Sequence, residues 1–393
     1  MLGITANWGL SDGSLGGNPP AVAERWLDGL RLATIRAGFR RDGRYRPVEH
    51  VTLVFAGDTL DLLLTERWTG RERPWHAGRR GRMARLDVLT ATLRAARGPI
   101  ARLRSWARHG LGVPTADARG RPTDRIVTRV EVEPVLLLGD RDADLGQVST
   151  AVDRFGLRIG EAWSDGSHEI RHGHDLDPLR FRADVGDRLS AEAFRPTLAE
   201  SLTVGLLVPF AVGMRDIPVA WQSLKPMLGR LAAAAPVEMT EQIATLLARL
   251  APVQREAVAD HWRRSVGRWF SAALSDPPAH ELEFDAPAAL AAWLESAAGL
   301  AWSANCVPPE IRRLEVAAPR GRVGGTMVLG HLATHAVAGN GAVVGLGGEF
   351  PRLLIRPWPS AALDLSWFGP HPQDSGIVRV GDAVAGERFV DAA

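Results

Sequence analysis

Short apolar, β-rich runs that each halt at a Gly-Asp, His-Gly or Gly-His pair constrain this chain most. Residues 51–56 (VTLVFA) stop at Gly57 and Asp58, residues 126–138 at Gly139 and Asp140, and residues 326–329 at Gly330 and His331. His172, Gly173 and His174 close a further strand-like region that begins near residue 157. An apolar run this short, closed by a turn residue, reads as a buried strand. Between the runs the apolar spacing changes to three or four: Val22, Trp26, Leu27, Leu30 and Ile35 after Pro20, then residues 60–68, then Leu86, Leu89, Leu93, Ile100 and Trp106 beyond an Arg/Gly-rich loop at 70–81. These stretches are predicted helices, and residues 2–6 a first strand. Alternating strands and helices predict an α/β fold whose polar strand ends gather the functional groups.

From residue 190 to about 300 the pattern is almost purely helical, with Ala/Leu-rich segments at 198–212, 224–235, 243–250 and 258–274. Strands return at 326–329, 342–346 and 353–356, so the helices interrupt one domain. The expected division is a core of residues 1–187 and 316–393, with a helical insertion or cap over 188–315. At 393 residues and 46% hydrophobic content, the chain has ample material for a buried core.

Charge narrows the partners. Net charge is +2 and Lys225 is the sole lysine, so the positive charge is almost all guanidinium, suited to bidentate oxyanion contacts. The arginines are interleaved with carboxylates, not gathered in a stripe, so no nucleic-acid partner is expected. Cys306 is the single cysteine, which excludes an internal disulfide or a cysteine-based zinc site and fits a cytoplasmic setting. The first residues lack a signal-peptide pattern, and the longest apolar stretch, 202–214, is too short to span a bilayer.

Asp58 and Asp61, Asp140 and Asp142, His172 and His174, and His331 stand at these strand ends, and converging carboxylates and imidazoles make a mixed oxygen and nitrogen shell suited to Mn, Zn or Fe. Arg141 is a candidate for holding a phosphate oxygen, and His174 for a general acid or a partner behind the ligands. Asp61 and Asp142 read as capping or supporting residues. A rival motif overlaps: His168, Glu169 and His172 satisfy the HExxH pattern of zinc proteases, with Glu192 as a third ligand. That mechanism needs a helix, and the pentapeptide sits between Gly166 and Gly173 with room for fewer than two turns. On a strand, His168, Ile170 and His172 face one way and Glu169 the other. No GxxxxGK[ST] loop or GxSxG elbow is present. The glycine-rich stretch 339–348 reads as a hairpin.

In order, GDTLD at 57–61, GDRD at 139–142, HGH at 172–174 and GH at 330–331 resemble the motifs of calcineurin-like metallophosphoesterases. The GDRD variant is similar to the UDP-2,3-diacylglucosamine pyrophosphohydrolase branch, which also carries helices between its third and fourth motifs. The resemblance implies a sandwich of two mixed β-sheets flanked by helices, metal-dependent hydrolysis of a phosphoester or pyrophosphate, and Asp58 as the ligand that bridges two metals. The chain also departs from the pattern. Where the family has Asp-x-His after the first strand, this sequence has Ala6 and Trp8; Asp12 is an alternative for the carboxylate but lies six residues beyond the strand. The second histidine of the last motif is Ala333, with His335 two residues further on. All these losses fall on the family's first metal, whereas the second-metal set survives as Asp58, Asp140 (in place of Asn), His172 and His331. The resemblance therefore implies one divalent ion per chain. Two functions are expected: a one-metal hydrolase acting on a phosphate-containing small molecule or a lipid-like substrate, or an inactive family member that binds a ligand or protein.

Overall fold

A computed structural model describes residues 2–5, 8–16, 18–143, 158–166, 168–177, 195–275, 286–299, 326–331, 335–338, 341–346, 352–356, 363–367 and 376–380. The chain is an α/β protein with two mixed sheets and several helices. The first sheet contains β1 (Leu2–Thr5), β2 (His50–Ala56), β3 (Leu111–Ala116), β4 (Pro122–Leu137) and β5 (Arg158–Gly160). Its order is β13-β12-β11-β1-β2-β4-β3, where β11 is Arg352–Arg356, β12 Leu363–Trp367 and β13 Gly376–Val380; β5 pairs with β4. The second sheet runs β6-β7-β8-β10-β9, from β6 (Ala162–Ser164), β7 (His168–Arg171), β8 (Thr326–Leu329), β9 (His335–Ala338) and β10 (Gly341–Gly345).

Side-chain alternation explains the layering. Val54 and Ala56 of β2, Val135 and Leu137 of β4 and Leu354 of β11 share a buried cluster with Ile170, Val328 and Val344 of the second sheet, so the sheets face each other there. The intervening residues, Val51, Leu53, Phe55, Val132 and Leu136, turn the other way. They pack on α1 (Pro20–Ala37) and α3 (Arg97–His109), through Trp26, Leu27, Leu30, Leu103 and Trp106. Because β1, β2 and β4 are mutually parallel, their C-terminal ends emerge on one edge; β7 and β8, also parallel, end beside them.

Several expected elements take a different form. Residues 60–68 form no α-helix. Leu10 and Leu60 form a bridge, Asp61 Oδ1 accepts from the amides of Leu63 and Leu64 at 3.1 and 3.0 Å, and only a 3-10 turn (Glu66–Thr69) follows. The long helix through Trp106 is two helices, α2 (Gly78–Ala95) and α3, broken at Ala96, with Pro99 in the first turn of α3. Strands β3, β12 and β13 are additional to those expected. The hairpin expected at 339–348 lies earlier in the chain: the antiparallel pair is β9 with β10, and only β10 falls inside that stretch.

The helical block comprises α4 (Leu198–Leu202), a π-turn (Thr203–Leu207), α5 (Val208–Met214), α6 (Pro218–Leu224), α7 (Leu228–Ala233), α8 (Pro236–Ala248), α9 (Pro252–Ser275) and α10 (Ala286–Ser296). A capping box between Thr197 and Glu200 starts it. Its apolar residues belong to the same cluster as Trp8, Leu10, Leu15, Leu60, Leu64 and Trp68, so it is packed on the loops that follow β1 and β2. Arg215 adds polar contacts to Glu66 and the Ser14 carbonyl. The expected boundaries at 187/188 and 315/316, together with Ala6, Glu192, Cys306 and Ala333, lie outside the described residues. No described helix is long and apolar enough to cross a membrane.

Candidate metal centre

Four strand ends, two from each sheet, bring Asp58, Asp140, His172 and His331 together. One ligand atom from each lies within 4.8 Å of all the others. Two of the local glycines are dictated by this closeness. Gly57 has φ +90°, and a Cβ there would stand 2.2 Å from His172 Nδ1. A Cβ on Gly139 would stand 2.2 Å from Asp58 Oδ1. Asp58 itself, at φ +48°, is the only non-glycine residue with positive φ among the described residues. Such a conformation is held by surrounding contacts and is common where a side chain must be aimed for function.

The histidines are oriented by their second nitrogens. His172 is 1% exposed; its Nδ1–H donates to the Ala56 carbonyl at 2.9 Å, and its Nε2 faces Asp140 Oδ1 at 2.8 Å and Asp58 Oδ2 at 3.5 Å. His331 donates from Nε2 to Asp177 Oδ2 at 2.8 Å and points Nδ1 at Asp140 Oδ1, 3.8 Å away. The His172 and His331 ring centroids are 5.2 Å apart, since the amide of His331 bonds the His172 carbonyl as the β7/β8 ladder runs out.

The charges fit an ion. Burial and then the Asp140 charge raise the Asp58 pKa, against His172 and Arg141, which lower it. Burial pulls the His172 imidazolium down, but Asp58, Asp140 and the Ala56 carbonyl outweigh it and hold its pKa at about 9. Without an ion, His172 therefore carries the proton that neutralises the carboxylates; a cation can take that place. Two carboxylates and two imidazoles are the donor set of a divalent-ion site, so this buried group can hold a metal ion.

Around the four lie supporting residues. Asp142 accepts from the amides of Gly139, Thr59 and Leu60 at 2.7, 2.8 and 3.3 Å, tying the β4 loop to the β2 loop. Burial, then Asp58, raise its pKa to about 7. Arg141 gives its amide to Asp58 Oδ1 at 3.0 Å and its Nη1 to Asp61 Oδ2 at 2.7 Å, while its Nη2 is buried without a hydrogen-bond partner. His174 lies with its ring 5.3 Å from that of His172; burial, then His172, depress its pKa to about 4. Asp177 was not legible from sequence: it precedes His331 by 154 positions and no motif links them.

The other candidates fall elsewhere. Asp12 is bound by Ser14, Thr65 and Arg67 in a turn. Trp8 is 1% exposed, its indole edge-on to Trp26 and Phe55 at 5.4 and 4.9 Å, on the helix side of the first sheet. The HExxH pentapeptide starts on strand β7, with buried His168 held by Asp165 at 3.1 Å, so the helix that a zinc protease needs is absent there.

Comparison with family models, curated proteins and solved structures found no match to this chain.

Proposed function

We propose that this protein is a divalent-ion-dependent hydrolase of a phosphoester or pyrophosphate, of calcineurin-like type, working with a single Mn, Zn or Fe ion held by Asp58, Asp140, His172 and His331. The observation that carries this reading is the position of Arg141 beside that cluster. Its side chain is only 11% exposed and its guanidinium is anchored by Asp61, yet Nη2 is buried without a hydrogen-bond partner. A buried donor left unpaired costs about 1–3 kcal/mol, and a phosphoryl oxygen is the acceptor that Arg fits best. Arg141 thus orients the phosphate. His174, its pKa depressed to about 4, stands neutral near pH 7, which suits it to a hydrogen bond with the substrate more than to storing an acidic proton. A bound ion would supply Lewis-acid polarisation of the phosphoryl group and acidify water at the site.

A second reading, an inactive relative that binds a ligand or a partner, is favoured by Trp8. Where the family pattern calls for a ligand of the other metal, the indole is core. Two carboxylates also neutralise one divalent ion, which leaves Arg141 as the attraction for phosphate. The test is hydrolysis of an aryl phosphodiester and of a pyrophosphate diester by protein reloaded with Mn, Zn or Fe. A hydrolase turns over, and Arg141→Ala loses a hundredfold or more with ion content unchanged. Ion retained without turnover leaves the binding reading, and no ion rejects the metal site itself.

A further inference from the structure

We infer that Asp177 is the positioning residue that makes His331 an Nδ1 ligand, so that the two imidazoles meet the ion through different nitrogens: His172 through Nε2 and His331 through Nδ1. This rests on the metal site proposed above. The Asp177 amide closes the 3-10 turn His174–Leu176 by donating to the His174 carbonyl at 3.0 Å, which brings its side chain, 3% exposed, over the second sheet's strand ends. There Oδ2 takes the Nε2–H of His331 at 2.8 Å. A neutral imidazole has one N–H, so a proton fixed on Nε2 leaves the lone pair on Nδ1, the nitrogen that faces Asp140. The carboxylate also makes that lone pair more basic and restrains ring rotation. His172 is fixed in the opposite sense by a backbone carbonyl, a neutral and immovable acceptor. Of the two imidazoles, only His331 therefore has its tautomer set by a side chain that substitution can remove.

The experiment pairs a tautomer readout with an affinity. Long-range nitrogen–proton NMR on histidine-labelled, ion-free wild-type protein at pH 8 reports which nitrogen of His331 carries the proton, and titration with Zn2+ alone gives affinity and stoichiometry. The expected result is a proton on Nε2 of wild-type His331, a shift of its Nδ1 on Zn2+ addition, and a 10–100-fold weaker affinity at unchanged stoichiometry in Asp177→Ala. Asp177→Asn, whose amide oxygen still accepts from Nε2–H, should keep the tautomer and lose less affinity. A proton on Nδ1 of wild-type His331 overturns the inference even if Asp177→Ala fails to fold. Wild-type and Asp177→Ala affinities within twofold overturn it while leaving the metal site intact. Wild-type protein that takes up no Zn2+ overturns both.

Discussion

Arg141 Nη1 lies 2.7 Å from Asp61 Oδ2, and the pair joins the loop after β4 to the loop after β2 directly beside the four candidate ligands. The other Asp61 oxygen caps the amides of Leu63 and Leu64, so one carboxylate both shapes the loop and holds the guanidinium.

Asp61→Ala should therefore cost about 3–5 kcal/mol, because it strands a buried guanidinium as well as removing a cap. Asp61→Asn keeps the amide-accepting oxygen and should cost less. Guanidinium chloride unfolding of both variants measures the difference; equal costs would show that the cap contributes nothing, and an Asp61→Asn as stable as wild type would show that the ion pair contributes nothing.

Gly57→Ala should abolish ion uptake and destabilise by about 3 kcal/mol, since its Cβ has no place beside His172 and its backbone is strained by any side chain. Gly43 is the control: its φ is +76° but nothing stands within 4 Å of the added Cβ. Gly43→Ala should cost about 1 kcal/mol and leave ion binding untouched. Thermal unfolding and Zn2+ titration of the two variants separate conformational strain from steric conflict.

The ion-free protein should lose stability as pH rises. His172 is held at about 9, above its ordinary 6.5, so its contribution is complete below pH 6.5 and is lost as pH climbs through 9. That loss is about 3 kcal/mol at most. Asp142, raised from 3.8 to about 7, acts in the same direction between those values. His174, depressed to about 4, acts oppositely, losing its contribution as pH falls from 6.5 through 4. Denaturant midpoints from pH 4 to 10 should thus peak on the acid side of neutral. Saturating Zn2+ should remove the decline between pH 6.5 and 9, because the ion replaces the Nε2 proton of His172.

That proton exchange has its own signature. Zn2+ uptake at pH 7 should release about one proton per ion, read as a dependence of the titration enthalpy on the ionisation enthalpy of the buffer. Enthalpies independent of buffer would mean that His172 is already neutral in the free protein.

Much of the site was legible because strand ends announce themselves. An apolar run that stops at a glycine and an acid or imidazole places that side chain at a sheet edge, and Asp58, Asp140 and His331 each follow such a stop, whereas His172 follows the mixed polar and apolar strand β7, just before Gly173. The parts that escaped depend on partners far apart in sequence. Asp177 reaches His331 across 154 positions, and the Ala56 carbonyl that orients His172 belongs to a residue that looks like plain core. The helix expected over 60–68 failed because Asp61 satisfies the Leu63 and Leu64 amides locally and Leu60 bridges to Leu10; apolar spacing alone does not register either tie.

The most direct test of the account is the metal content of the purified protein by elemental analysis, set beside His172→Ala and Asp140→Ala. The account predicts about one Mn, Zn or Fe per wild-type chain and near-complete loss in both variants, with circular dichroism unchanged. Wild-type protein that stays ion-free after incubation with each of these metals, or variants that bind as wild type does, would contradict it.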